Sequence, residues 1–354
     1  MIIGDINLSQ HVLIVAEIGN NHEGNAERAR ELVDRAAEAG ADAVKLQVIQ
    51  AEKLVSATER QRLAQLKSFE LPLEVHAALC ERAARHGLLA IATPFDLEAL
   101  EFIADDVDAL KIASGDVTCM PLIEAASMQP KPLIVSTGAA TLGEIERAVE
   151  AIRLVRSDWP YAMDSLALLH CVSSYPAPND QLNLRAINTL RTHFGCTVGY
   201  SDHALGIDAA ALAIAAGARI MEKHFTLDKN HSTFRDHQLS ADPDEMRALV
   251  TRVRAVEALL GDGVKEPMMC EEPGRSAMRR SAHARQRIDR GAIVSEDDVM
   301  WLRPERGVPV SEAHQIIGGT VKTTIEAGDA VEARMFEELG AKAMRTPTAG
   351  VGTK

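Results

Sequence analysis

The sequence predicts a (β/α)8 TIM barrel followed by a small β-rich domain, and three observations carry that prediction. Eight short apolar runs rich in branched residues alternate with helical patterns between His11 and Leu260. The runs are apolar almost throughout, as strands of a parallel sheet buried on both faces must be. The pattern stops after Leu260, and a chain of 354 residues has room for a second domain. Eight βα units in about 260 residues match the arithmetic of a barrel. Periodicity alone does not separate a closed barrel from a doubly wound open sheet.

Taken in order, HVLIVAEIG (11–19) leads into a helical segment in which Ala29, Leu32, Val33, Ala36 and Ala37 form one stripe, closed by Gly40. AVKLQVI (43–49) and LLAIATP (88–94) follow, with a helix expected over 74–86 between them. ALKIAS (109–114) lies between helical patterns at 96–104 and 119–128, and PLIVST (132–137) precedes one at 141–155. LALLHCVS (166–173), TVGYSDH (197–203) and ARIMEKHF (218–225) complete the set, with helices expected over 181–193, 206–216 and 242–260. The barrel is therefore assigned to 1–260. GDGVKEPMMCEEPGRSAM (261–278) mixes Gly, Pro and charge and reads as a linker. Short pieces punctuated by Gly291, Gly318, Gly319 and Gly328 make 279–340 the small β-rich domain, and 341–354 reads as a flexible tail.

Composition narrows the function classes. A net charge of −13 argues against nucleic acid as a partner, and aromatic residues at 3% leave few stacking platforms for bases. The five cysteines show no C-x-x-C spacing, so neither a zinc site nor a disulfide framework is expected, and a reducing cytoplasm fits them. The N-terminus lacks a positive n-region and is not expected to be a signal peptide. No charge-free apolar run approaches the roughly 18–20 residues that cross a bilayer, so no membrane role is expected.

The active site of a parallel barrel forms at the carboxyl ends of its strands. Here the runs end in Glu17; Lys45 and Gln47; Thr93; Lys111 and Ser114; Ser136 and Thr137; Ser173 and Tyr175; Ser201 and His203; Glu222 and His224. Residues two apart share a face, so these pairs can point together into the barrel mouth. A buried lysine is costly without an anionic partner. Lys45 and Lys111 therefore point to an anionic ligand, or else each pairs with Glu17 or another inner carboxylate. His203 and His224, at neighbouring strand ends, can share one divalent ion with positions left open. Without cysteine ligands, Mn²⁺ or Mg²⁺ fits that pair better than structural zinc. Asp236, His231 and His237 lie in the loop after the last strand; Asn20 and His22 lie in the polar turn after Glu17. Cys171 reads as a packed thiol.

In these residues the chain resembles the sialic acid synthase family. AEIGNNHEG, VKLQ, ATPFD, KIASGD, STGAA, LLHCVSSYPAP, GYSDH and EKHFTLDK occur in that family's order and spacing, and the resemblance covers about residues 11–338. The end segment is similar to the family's antifreeze-like (SAF) domain. The resemblance implies a metal-dependent condensation of phosphoenolpyruvate with an N-acylated amino sugar, giving a nine-carbon 2-keto sugar acid and phosphate. It implies that Lys45, Thr93, Lys111, Ser114, Ser136, Ser173 and Ser201 hold phosphoenolpyruvate. His203 and His224 would bind the metal, with Mn²⁺ first and Mg²⁺ or Co²⁺ as alternatives. Glu17, Gln47, Tyr175 and Asp236 would hold the sugar, with Asp116 close to the reacting carbons. Glu17, Asp116 and Glu222 are all candidates for activating the attacking water. The resemblance also implies a homodimer in which Arg303 of the SAF domain serves the partner's barrel, with Arg306 as its rival. The loop HSTFRDHQLSADP departs from the family's commoner glycine- and proline-containing version. Two other functions compete: a keto-acid synthase with an aldose phosphate acceptor, and a carbohydrate-binding protein acting through its C-terminal domain.

Overall fold

A computed structural model of the chain describes residues 1–159 and 162–340; the expected tail, 341–354, lies outside the described residues. Eight parallel strands close into a barrel: β3 (Leu13–Gly19), β4 (Ala43–Val48), β5 (Leu89–Pro94), β6 (Ala109–Ile112), β7 (Leu133–Ser136), β8 (Leu166–Cys171), β9 (Thr197–Asp202) and β10 (Ile220–His224), with β10 pairing back onto β3. They are preceded by a hairpin of two short strands, β1 (Ile2–Ile3) and β2 (Ile6–Asn7), which the sequence patterns do not announce.

Both faces of the barrel strands are buried, which explains their unbroken hydrophobicity. Outward residues such as Ile14, Ala16, Ile18, Val44, Leu46 and Val48 join the helices in one core, including Ala29, Leu32, Val33 and Ala36 of α1 (Ala26–Glu38). Inward residues Leu13, Val15, Ala43, Ile91, Ala109, Ile134, Ala167, Leu169 and Ile220 form a second core. Ile3 and Leu8 of the hairpin region pack into that core and are fully buried, closing the amino-terminal end of the barrel.

Helices fill the outer layer where capping chemistry allows. The Asn25 side chain caps α1 by accepting from the Arg28 N–H at 3.0 Å. After α2 (Ala51–Leu54) and α3 (Arg60–Phe69) come α4 (Leu73–Arg85), α5 (Leu97–Ile103) and α6 (Met120–Met128). Thr141 and Glu144 form a reciprocal capping box at the start of α7 (Leu142–Val155). The series ends with α8 (Ala186–Phe194), α9 (Asp208–Ala215), α10 (Arg235–Leu239) and α11 (Pro243–Leu260). The helices α2, α3 and α10 were not expected from periodicity. Arg254 of α11 reaches Asp42 at 2.5 and 2.6 Å and the Val12 carbonyl at 2.8 Å, tying the last barrel helix to the first strands.

The chain divides into two compact units, Met1–Asp262 and Gly263–Lys354. The stretch read as a linker contains a helix, α12 (Glu272–Met278). Its Pro273 occupies the first turn, where a missing N–H costs nothing, so a residue that reads as a breaker begins a helix instead. Within the second unit β11 (Ser281–Ala284) pairs antiparallel with β12 (Val299–Leu302), and β13 (Thr320–Val321) with β14 (Phe336–Glu338). Their core is small and mostly aliphatic, with Val294, Ile316, Val321, Val331 and one aromatic, Phe336, among its members.

Candidate active site

Strand parity builds the site. One step beyond the apolar inward layer, the same faces of the strands carry Glu17, Lys45, Thr93, Lys111, Ser136, Ser201 and Glu222, all buried. The register sets Glu17 beside Lys45 and His224, Gln47 beside Thr93, and Ser201 beside Glu222. Above them opens a cavity of about 280 Å³ lined by Lys45, Gln47, Lys111, Ser114, Ser173, Tyr175, His203, His224 and Asp236. Asn20, Arg62, Phe95, Phe234 and Arg235 line it too. Glu17, Thr93, Ser136, Ser201 and Glu222 sit behind that lining rather than in it.

The two lysines differ sharply. Lys45 Nζ lies 2.9 Å from Glu17 and 3.7 Å from Glu222, and donates to Thr93 Oγ1 at 3.3 Å. Burial alone would lower its pKa, but Glu17 and then Glu222 outweigh that and hold it above the ordinary value. Lys111 makes no ion pair among the described residues; its ammonium donates to the Ile112 carbonyl at 3.0 Å. Burial pulls its pKa down to about 8, partly opposed by the charge of Glu222. Thus the alternative of inner pairing holds for Lys45 and fails for Lys111.

The two inner glutamates are pushed apart. Burial raises Glu17, against the pull of Lys45, while Gln47 Nε2 donates to its Oε1 at 2.6 Å. For Glu222 burial also raises the pKa, yet Lys45 and Lys111 together hold it below the ordinary range; Ser201 Oγ donates to it at 2.8 Å. Asp116 stands apart from both. It lies in a 3-10 turn, Ser114–Asp116, outside the cavity lining, with its pKa raised by burial against the pull of Lys111.

Hydroxyls gather around one glycine. A Cβ at Gly138 would fall 2.3 Å from Ser173 Oγ, 2.5 Å from Cys171 Sγ and 2.9 Å from Ser114 Oγ, so only glycine admits this convergence. The Gly138 N–H donates to Ser114 Oγ at 3.0 Å. Cys171 is buried as expected, and its Sγ stands 3.0 Å from Ser114 Oγ. Ser136 Oγ is buried without a hydrogen-bond partner.

The imidazoles of His203 and His224 have ring centroids 5.4 Å apart. His203 Nδ1 is 2.8 Å from the Val172 carbonyl, an acceptor, so Nδ1 carries the proton and Nε2 presents its lone pair. His224 Nδ1 is buried with no partner. Burial lowers both pKa values, that of His224 well below the ordinary one, and His203 lowers His224 further. Two neutral imidazoles, one with its tautomer fixed, suit a divalent ion. Among the described residues no group of three or more His, Cys, Asp or Glu side chains could hold a metal. A metal here would therefore take two protein ligands and leave its other positions to water or substrate oxygen.

At the mouth Tyr175 packs on His203, centroids 4.2 Å apart, and Arg235 lies 4.5 Å above the Tyr175 ring. Asp236 is buried, its pKa raised by burial and held back by Arg235 3.4 Å away. Sequence reasoning missed Arg62, which sits on α3, and the pair Lys223–Asp202. Lys223 faces outward from β10 and donates to Asp202 Oδ2 at 3.0 Å and to the Ala204 carbonyl at 2.5 Å. That pair is completely buried and braces the turn carrying His203. Strand parity could have placed Lys223 on the outer face, but not its partner. His22, by contrast, is a buried neutral group whose Nδ1 accepts from Gly24 N–H at 3.1 Å. Arg303 and Arg306 belong to the second unit, both exposed, where Ser281 Oγ accepts from the N–H groups of Arg306 and Gly307.

Comparisons with known proteins agree on both units. The NeuB family model matches residues 32–265 and the SAF domain model residues 279–337. The N,N'-diacetyllegionaminic acid synthase of Legionella pneumophila is 39% identical, over 90% of this chain and 93% of its own length. The pseudaminic acid synthase of Campylobacter jejuni serotype O:23/36 is 34% identical, over 95% of this chain and all of its own. Among solved structures, the N-acetylneuraminic acid (sialic acid) synthetase of Leptospira borgpetersenii, in complex with citrate, superimposes with a TM-score of 0.70. It is 36% identical and covers 75% of this chain and 90% of its own.

Proposed function

The chain belongs to the NeuB family, and from that premise we propose that it condenses phosphoenolpyruvate with an N-acylated amino sugar, releasing phosphate and a nine-carbon 2-keto sugar acid. One observation carries the reading most: among the described residues Lys111 is a buried ammonium with no ion pair, and it lines the same cavity as Ser114 and Ser173, whose hydroxyls converge on Gly138. Phosphoenolpyruvate is a small, highly charged anion that fits such a place. In this reading Lys45, Lys111, Ser114 and Ser173, which line the cavity, hold it, with Thr93, Ser136 and Ser201 in the layer directly behind them. Gln47, Tyr175 and Asp236 hold the sugar at the mouth.

The reaction needs three proton movements. C3 of the enol pyruvate attacks the aldehyde carbon of the open-chain sugar, and the aldehyde oxygen takes up a proton. Water then adds to the electron-poor C2 and loses a proton, leaving a hemiketal phosphate; as its C2–O bond to phosphate breaks, the hydroxyl becomes the ketone and its proton leaves with the phosphate. Glu222, held ionised by Lys45 and Lys111, is suited to face the positive charge growing at C2 and to take the proton from water, and Glu17, ion-paired with Lys45, is the second candidate for that role. His203 and His224 would hold a divalent metal, Mn²⁺ first and Mg²⁺ or Co²⁺ as alternatives, whose Lewis acidity when bound polarises the aldehyde. Asp116 is the third carboxylate to test; like Glu17 and Glu222 it lies outside the cavity lining.

The test is phosphate release by the purified chain with phosphoenolpyruvate, Mn²⁺ and a panel of N-acetylmannosamine and 2,4-diacetamido-6-deoxy hexoses, with mass spectrometry of the product. Phosphate is expected only when all three are present; no turnover across the panel overturns the reading. Arg62 and Arg235 both line the mouth, which favours adding an aldose phosphate to the panel as the second reading. No helix among the described residues is long and apolar enough to cross a membrane, and five free thiols fit a cytoplasmic enzyme. We further propose a homodimer in which Arg303, or its rival Arg306, serves the partner's barrel. Mixing His203→Ala and Arg303→Ala chains should then restore partial activity; proven heterodimers without activity would remove Arg303 from that role.

A further inference from the structure

The polar turn after β3 holds a residue that the reaction above does not use. Glu23 adopts φ 46°, the left-handed region that a non-glycine residue enters at a cost. Its carboxylate accepts from Ser232 Oγ, and His237 Nε2 lies 3.4 Å from the same oxygen. His231 Nε2 and Arg28 each stand 3.7 Å from the other oxygen. Three of these four partners lie in the segment between β10 and α11, more than two hundred residues away in the chain. That segment brings Phe234, Arg235 and Asp236 to the cavity.

Neighbouring contacts make the grip rigid. Asn21 Nδ2 donates to the Phe225 carbonyl at 2.8 Å and to Ser240 Oγ at 2.9 Å, fastening the two ends of the segment. His237, buried, meets Thr226 Oγ1 at 2.7 Å through its other nitrogen. Gly24, at φ 74°, lies so close to the end of α3 that a Cβ would come within 2.3 Å of the Ser68 carbonyl oxygen. Phe234 packs edge-on against Phe69 of α3, ring centroids 4.9 Å apart. The ends of the segment are thus fixed without Glu23, while in its middle the Glu23 carboxylate holds Ser232 and His237, alongside the packing of Phe234 on Phe69 and of Arg235 on Tyr175.

We propose that Glu23 is a positioning residue for the sugar site: by gripping Ser232 and His237 it sets where Arg235 and Asp236 stand at the mouth. The inference rests on the function proposed above for its substrate, and on the hydrogen bonds alone for the latch. The test begins with Glu23→Gly, because glycine accepts φ 46° freely and the variant loses the carboxylate without new strain. The expected result is an unchanged or higher Tm, a KM for the sugar raised tenfold or more, and a KM for phosphoenolpyruvate within twofold of the parent. Ser232→Ala should raise the sugar KM less, and the double variant should be no worse than Glu23→Gly, since both remove one contact. Glu23→Gln, which keeps an acceptor for Ser232, should recover most of the loss. A rise of both KM values together, or fully additive effects, would overturn the positioning role. Amide hydrogen exchange supplies a readout that needs no substrate. Residues 230–238 should exchange at least tenfold faster in Glu23→Gly, and unchanged exchange would overturn the latch. If exchange responds while the parent turns over none of the sugars, the latch stands and the substrate assignment falls.

Discussion

The inside of the barrel is two different materials on the same strands. Toward the amino ends Leu13, Val15, Ala43, Ile91, Ile134 and Leu169 make a dry plug sealed by Ile3 and Leu8. One residue pair further along, the same faces carry Glu17, Lys45, Thr93, Lys111, Ser136 and Glu222. Burial is equally deep in both halves, so depth does not explain the change. The lower half gains stability from every apolar group it removes from water. The upper half holds charges that water would solvate better, and Lys111 without a counter-ion is the plainest case. The barrel is stable at one end and chemically prepared at the other.

Replacing charge by apolar bulk in the upper half should break that contrast most severely. Lys111→Met should cut turnover by about 10³-fold or more. It should also raise the unfolding midpoint, because the parent carries a penalty for burying an ammonium. The sign follows from linkage: the folded pKa, about 8, lies below the ordinary 10.5, so the penalty is complete below pH 8 and fades as pH rises toward 10.5. Its size at neutral pH is roughly 2–4 kcal/mol. A lower midpoint in chemical denaturation would mean that Lys111 stabilises the fold and that the division is false.

The lower half should respond in the opposite sense. Ile134→Ala is expected to cost about 2–4 kcal/mol by opening a cavity in the plug, while KM for both substrates stays within twofold. A large change in KM at constant stability would show that the plug takes part in binding.

The smallest expected effect sharpens the comparison by pH. The ammonium of Lys111 is the form that binds an anion, so kcat/KM for phosphoenolpyruvate should fall about tenfold per unit above pH 8. A profile flat to pH 9.5 would exclude Lys111 from anion binding.

Most of this contrast was legible in the sequence because the strands obey a two-residue period. Lys45, Lys111, Glu222 and His224 interrupt otherwise apolar runs, and parity then assigns them inward. The barrel's closure was not legible, since local periodicity carries no long-range pairing. Arg62 escaped because α3 offers only Leu63, Ala64, Leu66 and Phe69 as apolar marks, too few to announce a helix. The hairpin escaped because strands of two residues have no period to read. Nor could a sequence distinguish the two lysines: Lys45 is matched by Glu17 across neighbouring strands, whereas the isolation of Lys111 emerges only in three dimensions. The Lys223–Asp202 pair depends on the register of the neighbouring strands β9 and β10, which no local period fixes, and the grip of Glu23 on Ser232 joins segments that meet where β10 closes onto β3.

The hairpin that seals the amino end has a consequence for traffic. With Ile3 and Leu8 filling the bottom, the barrel is a blind well with one opening. Lys111, Tyr175 and Asp236 line the same cavity. In the function proposed above, the anion at Lys111 is the deep ligand and the sugar the shallow one, so depth orders entry, the anion first and the sugar second. Phosphate released on the floor then leaves after the sugar acid has cleared the mouth.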